Sequence, residues 1–196
     1  MKRIIALLLA VSFIFCLSAC KKDSSNGENS EYAIDINYYL NLGQISEAKY
    51  NLGADPDDIE KAAEKQNEEH DHTGGDGHEG IITYEDYNGK EAYIVDGFYY
   101  CFESGKEDDG ISCIIGTDTV FGFVAGEASK YEINAALSKM NPENITSNEE
   151  DFFYMPFAME NIDTIVCKNG EKVLKFYFEE DILIAASLYN ESKWEF

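Results

Sequence analysis

The 196-residue sequence predicts an α+β fold, with two related helix-plus-antiparallel-sheet units in one compact domain behind a signal peptide and flexible tether. Three observations predict it. Capped helix starts occur twice at one spacing. Each is followed by runs of β-forming residues. Tight-turn dipeptides join those runs, which makes the strands antiparallel neighbours and segregates them from the helices. A hydrophobic fraction of 44%, with 13% of the chain aromatic, is ample for a folded core.

Met1-Lys2-Arg3 is a short positive start, followed by residues 4–17, apolar except for Ser12. A run of 14 is too short to cross a bilayer as a mature helix, which needs about 20 residues, but suits a signal-peptide core. It ends in Leu17-Ser18-Ala19-Cys20. This resembles the lipobox of bacterial lipoprotein signals: an aliphatic residue, two small residues and a cysteine. The resemblance implies diacylglyceration of the Cys20 thiol, cleavage before Cys20, and retention at the cell membrane on its extracytoplasmic face. Two acyl chains, at about 0.8 kcal/mol per buried CH₂, anchor stably where one is marginal. Residues 21–30 (KKDSSNGENS) contain nothing apolar and read as the tether. The expected segments are therefore 1–19 (signal), 20–30 (lipidated cysteine and tether), 31–126 (first unit, with a His-rich loop at 68–80) and 127–196 (second unit).

Residues 35–52 read as helical, with Ile36, Tyr39, Leu40 and Leu42 favouring one side, although Gly43 weakens one unbroken helix. Residues 54–65 and 128–139 resemble each other at a spacing of 74, which suggests a duplicated unit. Asp55 is an N-cap with Pro56 at the first helical position, and Ser129 with Glu132 forms a capping box. Ile59, Ala62 and Ala63 make a narrow apolar face; Ile133, Leu137 and Met140 repeat it.

Strands are expected at 81–87, 90–95 and 98–103, turning at Asn88-Gly89 and Asp96-Gly97, with Tyr84 opposite Tyr93. An acidic turn at 104–110 leads to strands 111–115 and 119–125. The second meander is 162–168, an Asn169-Gly170 turn, 171–178, a turn at 179–181, and 182–189. Its expected register sets Lys168 opposite Glu171 and Val166 opposite Val173. The aromatic run 152–157 reads as a core or edge strand closed by Pro156, or as a partner-binding lip. Tyr99-Tyr100 and Phe176-Tyr177-Phe178 read as sheet packing with alternate rings outward.

A helix-then-meander unit used twice behind a lipobox is similar to a group of uncharacterised lipoproteins of Gram-positive bacteria. Their domain is in turn similar to the tandem architecture of the β-lactamase inhibitory protein. The likeness spans residues 35–189. It implies two small sheets forming one curved surface able to hold a partner protein at the cell envelope, with no contact residue carried over.

Beyond residue 19 there are 13 lysines, no arginine and 38 acids, a net charge of −25. Nucleic acid, which calls for a basic face and Arg forks, is excluded as a partner. The membrane is reached through the N-terminal lipid rather than through charge. His70, His72 and His78, the only histidines, lie within nine residues among Asp, Glu and Gly. Imidazole and carboxylate suit Zn²⁺ or another divalent metal, so a metal-handling lipoprotein is one alternative; a solvated acidic linker is the other reading of this loop. No cofactor is otherwise required. G-x-S-x-G, GxxxxGK[ST] and H-E-x-x-H are absent, no catalytic residue is assigned, and an enzyme is not expected. A carboxylate-based envelope hydrolase is the second alternative, since 38 acids offer pairs too numerous to distinguish.

Cys16 leaves with the signal and Cys20 takes lipid. Cys101 and Cys113 sit symmetrically about Glu107, so a regular hairpin sets them directly opposite each other, either as a disulfide or as two small buried residues; Cys167 is left over. The leading expectation is a non-enzymatic, lipid-anchored domain that binds a protein or an envelope ligand.

Overall fold

The structure is a computed structural model; it describes residues 34–71, 90–103, 105–138, 140, 144–154 and 157–194, with side chains omitted at 68–71, 149–154 and 157–161. The first helix, α1, is Ile36–Leu42. It starts where Asp35 Oδ1 accepts the Tyr38 N–H at 3.1 Å, and it buries Ile36 and Leu40. Gly43 ends it at φ 73°, its N–H reaching back to Leu40. This corrects the expected helix over 35–52. The left-handed turn at Gly43 suits glycine, and the chain beyond folds back so that the Leu52 N–H donates to the Gly43 carbonyl at 2.8 Å.

Helix α2 spans Pro56–Asp71, with Asp55 Oδ1 accepting the Asp57 N–H at 3.0 Å. Its Ile59 and Ala63 are buried, and it packs on strand β1, Lys90–Val95. Burying one Ile contributes roughly 1.5–3 kcal/mol. Helix α3, Lys130–Leu137, carries the expected capping box of Ser129 and Glu132 and buries Ile133 and Leu137.

The remaining strands are β2 (Phe98–Glu103), β3 (Cys113–Gly116), β4 (Thr119–Val120), β5 (Phe123–Val124), β6 (Ile145–Tyr154), β7 (Phe157–Asn169), β8 (Lys172–Glu179) and β9 (Ile182–Asn190). Seven form one antiparallel sheet in the order β1-β2-β3-β9-β8-β7-β6. The two meanders are thus not two small sheets. Pairing of β3 with β9 joins them into one.

The spacing of 74 residues recurs in the pairing. Val95 faces Phe98 as Asn169 faces Lys172, and Tyr99 faces Ile115 as Val173 faces Tyr189. Pro56 and Lys130, the first residues of α2 and α3, lie at the same spacing. At the junction Ile114 faces Leu188, again 74 apart, so equivalent positions of the two meanders meet about a local two-fold axis. One core includes Ile59, Tyr100 and Ile114 from residues 31–126 and Ile133, Phe176 and Leu188 from residues 127–196.

Three strand expectations are corrected. Residues 119–125 are not one strand but the small hairpin β4–β5. The Glu47 carboxylate accepts the N–H groups of Phe121 (2.7 Å) and Gly122 (2.6 Å), both at positive φ, and the turn buries Val120, Phe121 and Phe123. β6 is a strand the sequence reading lacks. The β7–β8 turn falls at Gly170-Glu171, so Lys168 faces Val173 and Val166 faces Lys175. The shift moves partners by two residues, which leaves every side chain on its expected face. The expected strand 81–87, with Tyr84 opposite Tyr93, lies outside the described residues.

The β8–β9 loop is Glu180-Asp181, with φ of 48° and 65° and no glycine. Such a two-residue hairpin favours Asn-Gly, because side chains are strained at positive φ. Replacing Glu180→Asn and Asp181→Gly should stabilise the protein by about 1 kcal/mol in chemical denaturation, given the strain relieved. No gain in midpoint would show that the loop is unstrained.

Candidate functional site: the second face of the sheet

Side chains alternate along a strand, so the sheet presents two faces. The large rings of Tyr93, Phe98, Tyr100, Phe102, Phe176 and Phe178 lie in the core with the residues of all three helices. The Tyr100 hydroxyl accepts the N–H groups of Lys49 (3.0 Å) and Tyr50 (3.4 Å), tying the segment after α1 to the sheet. The second face is built differently. Ala92, Cys101, Cys113, Ile115, Val166, Val173 and Tyr189 form a separate apolar cluster there, with Trp194 buried among them and Tyr99 packed against it.

Trp194 arrives by the turn that follows β9. The Trp194 N–H donates to the Asn190 carbonyl (2.9 Å) and the Glu191 N–H to the Glu171 carbonyl (2.8 Å). Lys168 Nζ lies 2.6 Å from Glu191 Oε1, and Lys193 Nζ donates to the Asp109 carbonyl at 3.1 Å. Two lysines flank the cluster. Lys90 Nζ stands 4.3 Å from the Trp194 ring centre and Lys175 Nζ 5.7 Å from that of Tyr189. Each contact contributes about 0.5–2 kcal/mol by cation–π attraction, more as water is excluded. Beside the cluster the hydroxyls of Tyr177 and Ser187 are buried 2.9 Å apart.

Cys101 and Cys113 are directly opposed on β2 and β3, as their symmetry about Glu107 predicts. They stand in this structure as two free thiols, both buried, rather than as a disulfide. Burial, and then the hydrogen bond to Cys101, push the Cys113 thiol well above its ordinary range; Lys90 and Lys175 oppose this weakly. Cys167 lies in the main core, where burial pushes its thiol up to about 12. Tyr93 is also pushed up to about 12, by burial first and then by Glu60. A thiol held protonated is a poor nucleophile and a poor metal ligand.

The histidines are not seen at a site: His70 is in α2 without a described side chain, and His72 and His78 lie outside the described residues, as does Cys20. Among the described residues no three of His, Cys, Asp and Glu gather as metal ligands. The side chains of 152–157 are likewise outside the description. Sheet rings were expected to alternate outward, yet Tyr177 is buried and Tyr99 only partly exposed. The exposed large apolar residues are instead Tyr38 and Leu42 on α1, Val124 on β5 and Tyr131 on α3. Sequence reasoning missed α1 as a surface. A usable signal was there: INYYLNL holds no charge in a strongly acidic chain.

The thiol states set a pH dependence. The unfolded chain releases the Cys167 proton near pH 9 and the Tyr93 proton near pH 10, whereas the fold holds both to about 12. Between those values the unfolded state binds fewer protons, so stability falls as pH rises, by up to about 1.4 kcal/mol per pH unit for each group. The contribution is complete below pH 9 and gone above 12. Melting temperature followed by circular dichroism should therefore decline steadily on the alkaline side, and a flat profile would contradict the burial. At neutral pH iodoacetamide should leave Cys101, Cys113 and Cys167 unlabelled in the native protein and label all three in denaturant without reductant. Labelling of Cys167 alone in denaturant would show a Cys101–Cys113 bridge.

Comparison with protein-family models, curated proteins and solved structures returns no match, so the functional reading is built from this chain's own residues.

Proposed function

We propose that this chain is a lipid-anchored extracytoplasmic lipoprotein whose folded domain binds a protein or envelope ligand without turning it over. The observation that carries the reading is Leu17-Ser18-Ala19-Cys20 at the end of a 14-residue apolar stretch with a positive start. The tandem organisation expected of similar Gram-positive lipoproteins agrees with the shared register of the two meanders.

The chemistry of the described residues supports binding over turnover. The buried polar side chains are Ser112, Thr164 and Ser187, all uncharged hydroxyls. A carboxylate acting as general acid at neutral pH needs burial to raise its pKa, and the described carboxylates are not among the buried groups. The thiols are protonated, and the lysines near them lie over aromatic rings. The apolar side chains offered to solvent sit on the helical side and the small hairpin rather than at the sheet's centre.

Expression with radiolabelled palmitate tests the anchor. Wild-type protein should incorporate label, lose 19 residues and sediment with membranes, whereas Cys20→Ala should incorporate none and keep its precursor mass. An unlabelled wild type, or processing unchanged by Cys20→Ala, would overturn the proposal.

A further inference from the structure

We infer that the exposed face of α1, formed by Tyr38 and Leu42, seats on the surface of the lipid bilayer that holds the Cys20 acyl chains and so orients the domain on the membrane. The inference rests on the lipid anchor proposed above and adds a second contact to it. Its first support is reach. Ile34, the first described residue, is 14 positions after Cys20 and lies beside Gly122 in the β4–β5 turn, immediately before α1. Fourteen residues span at most about 50 Å fully extended, so the start of α1 can never leave the neighbourhood of the membrane. A contact too weak to hold a free protein is populated when the tether keeps it at millimolar effective concentration.

The second support is composition. Residues from Cys20 onward carry a net charge of −25, which opposes approach to anionic headgroups. α2 presents Asp57, Asp58 and Glu60, and the exposed Tyr131 of α3 is flanked by Lys130 and Glu132. α1 alone among the three described helices carries no charged residue. Tyr38 is 55% exposed and Leu42 45%, four positions apart and therefore on one face. Tyrosine at the membrane–water boundary buries its ring and keeps its hydroxyl wet, and leucine enters the acyl region beside it.

The third support is rigidity. Asp35 and Gly43 cap the two ends of α1, and Ile36 and Leu40 are buried beneath it. Asn41 is held from the far side, where Asn169 Nδ2 donates to its side chain and Lys172 Nζ to its carbonyl. The face is already ordered before it meets lipid, so little freedom is lost on contact.

Hydroxyl-radical footprinting of the full acylated protein on vesicles tests this, with Tyr131 as internal reference. Vesicles of phosphatidylcholine, alone and mixed with phosphatidylglycerol, are compared with the same protein after lipase has removed its acyl chains. Oxidation of Tyr38 and Leu42 should fall several-fold on both vesicle types while that of Tyr131 is unchanged. Protein that floats with the vesicles but is oxidised equally at Tyr38 would overturn the contact and leave the anchor standing. Acylated protein that does not float would overturn the anchor and the contact with it. Protection that appears only at high protein density would assign the face to a second copy, and protection confined to phosphatidylglycerol would assign it to headgroup charge; either overturns the inference.

Discussion

The four-pair ladder between β3 and β9, centred on Ile114 opposite Leu188, is the constraint on which the molecule depends. Without it β3 and β9 would be exposed edges of two short meanders, each a poor fold alone and each a template for aggregation. With it, one sheet has a continuous apolar face long enough for α1, α2 and α3 to share. Both central residues of the ladder are fully buried, and their equivalence in the two meanders makes the junction self-complementary. The ladder therefore determines where every other element can sit.

The two faces of that sheet do different work because their side chains differ in size. Phenylalanine and tyrosine crowd the helical side, whereas alanine, cysteine, serine and valine dominate the other. Small residues leave room for Trp194 to fold back onto the second face, and Lys90 and Lys175 lie across the aromatic rings there. The thiols are locked in this packing, consistent with structural roles. Solvent-facing apolar surface is left to α1, β5 and α3, and in the proposed anchored protein α1 is the nearest of these to the lipid.

Much of the fold was legible in the sequence where the determinants are local. Asp55-Pro56, Ser129 with Glu132, and Asp96-Gly97 each specify a cap or turn within a few residues, and each occurs as expected. The opposition of Cys101 and Cys113 followed from symmetry about one turn. What was not legible is non-local. Nothing near Phe121-Gly122 announces that Glu47 will clamp it into a hairpin. β6, rich in Asn, Asp and Glu, has poor β propensity and forms because β7 offers it an edge. The pairing of β3 with β9 joins segments more than 70 residues apart, and no local pattern encodes it. The site was less legible than the fold, since the eye goes to the histidine loop and the aromatic run, while the absence of charge from α1 is a quieter signal.

Native-state hydrogen exchange followed by mass spectrometry tests the central role of the junction most directly. If the β3–β9 ladder makes one cooperative sheet, peptides from β2 and from β8 should open with the same free energy and the same denaturant dependence. Exchange of one meander at a distinctly lower free energy than the other would mean that each half is stable by itself, and would contradict the account.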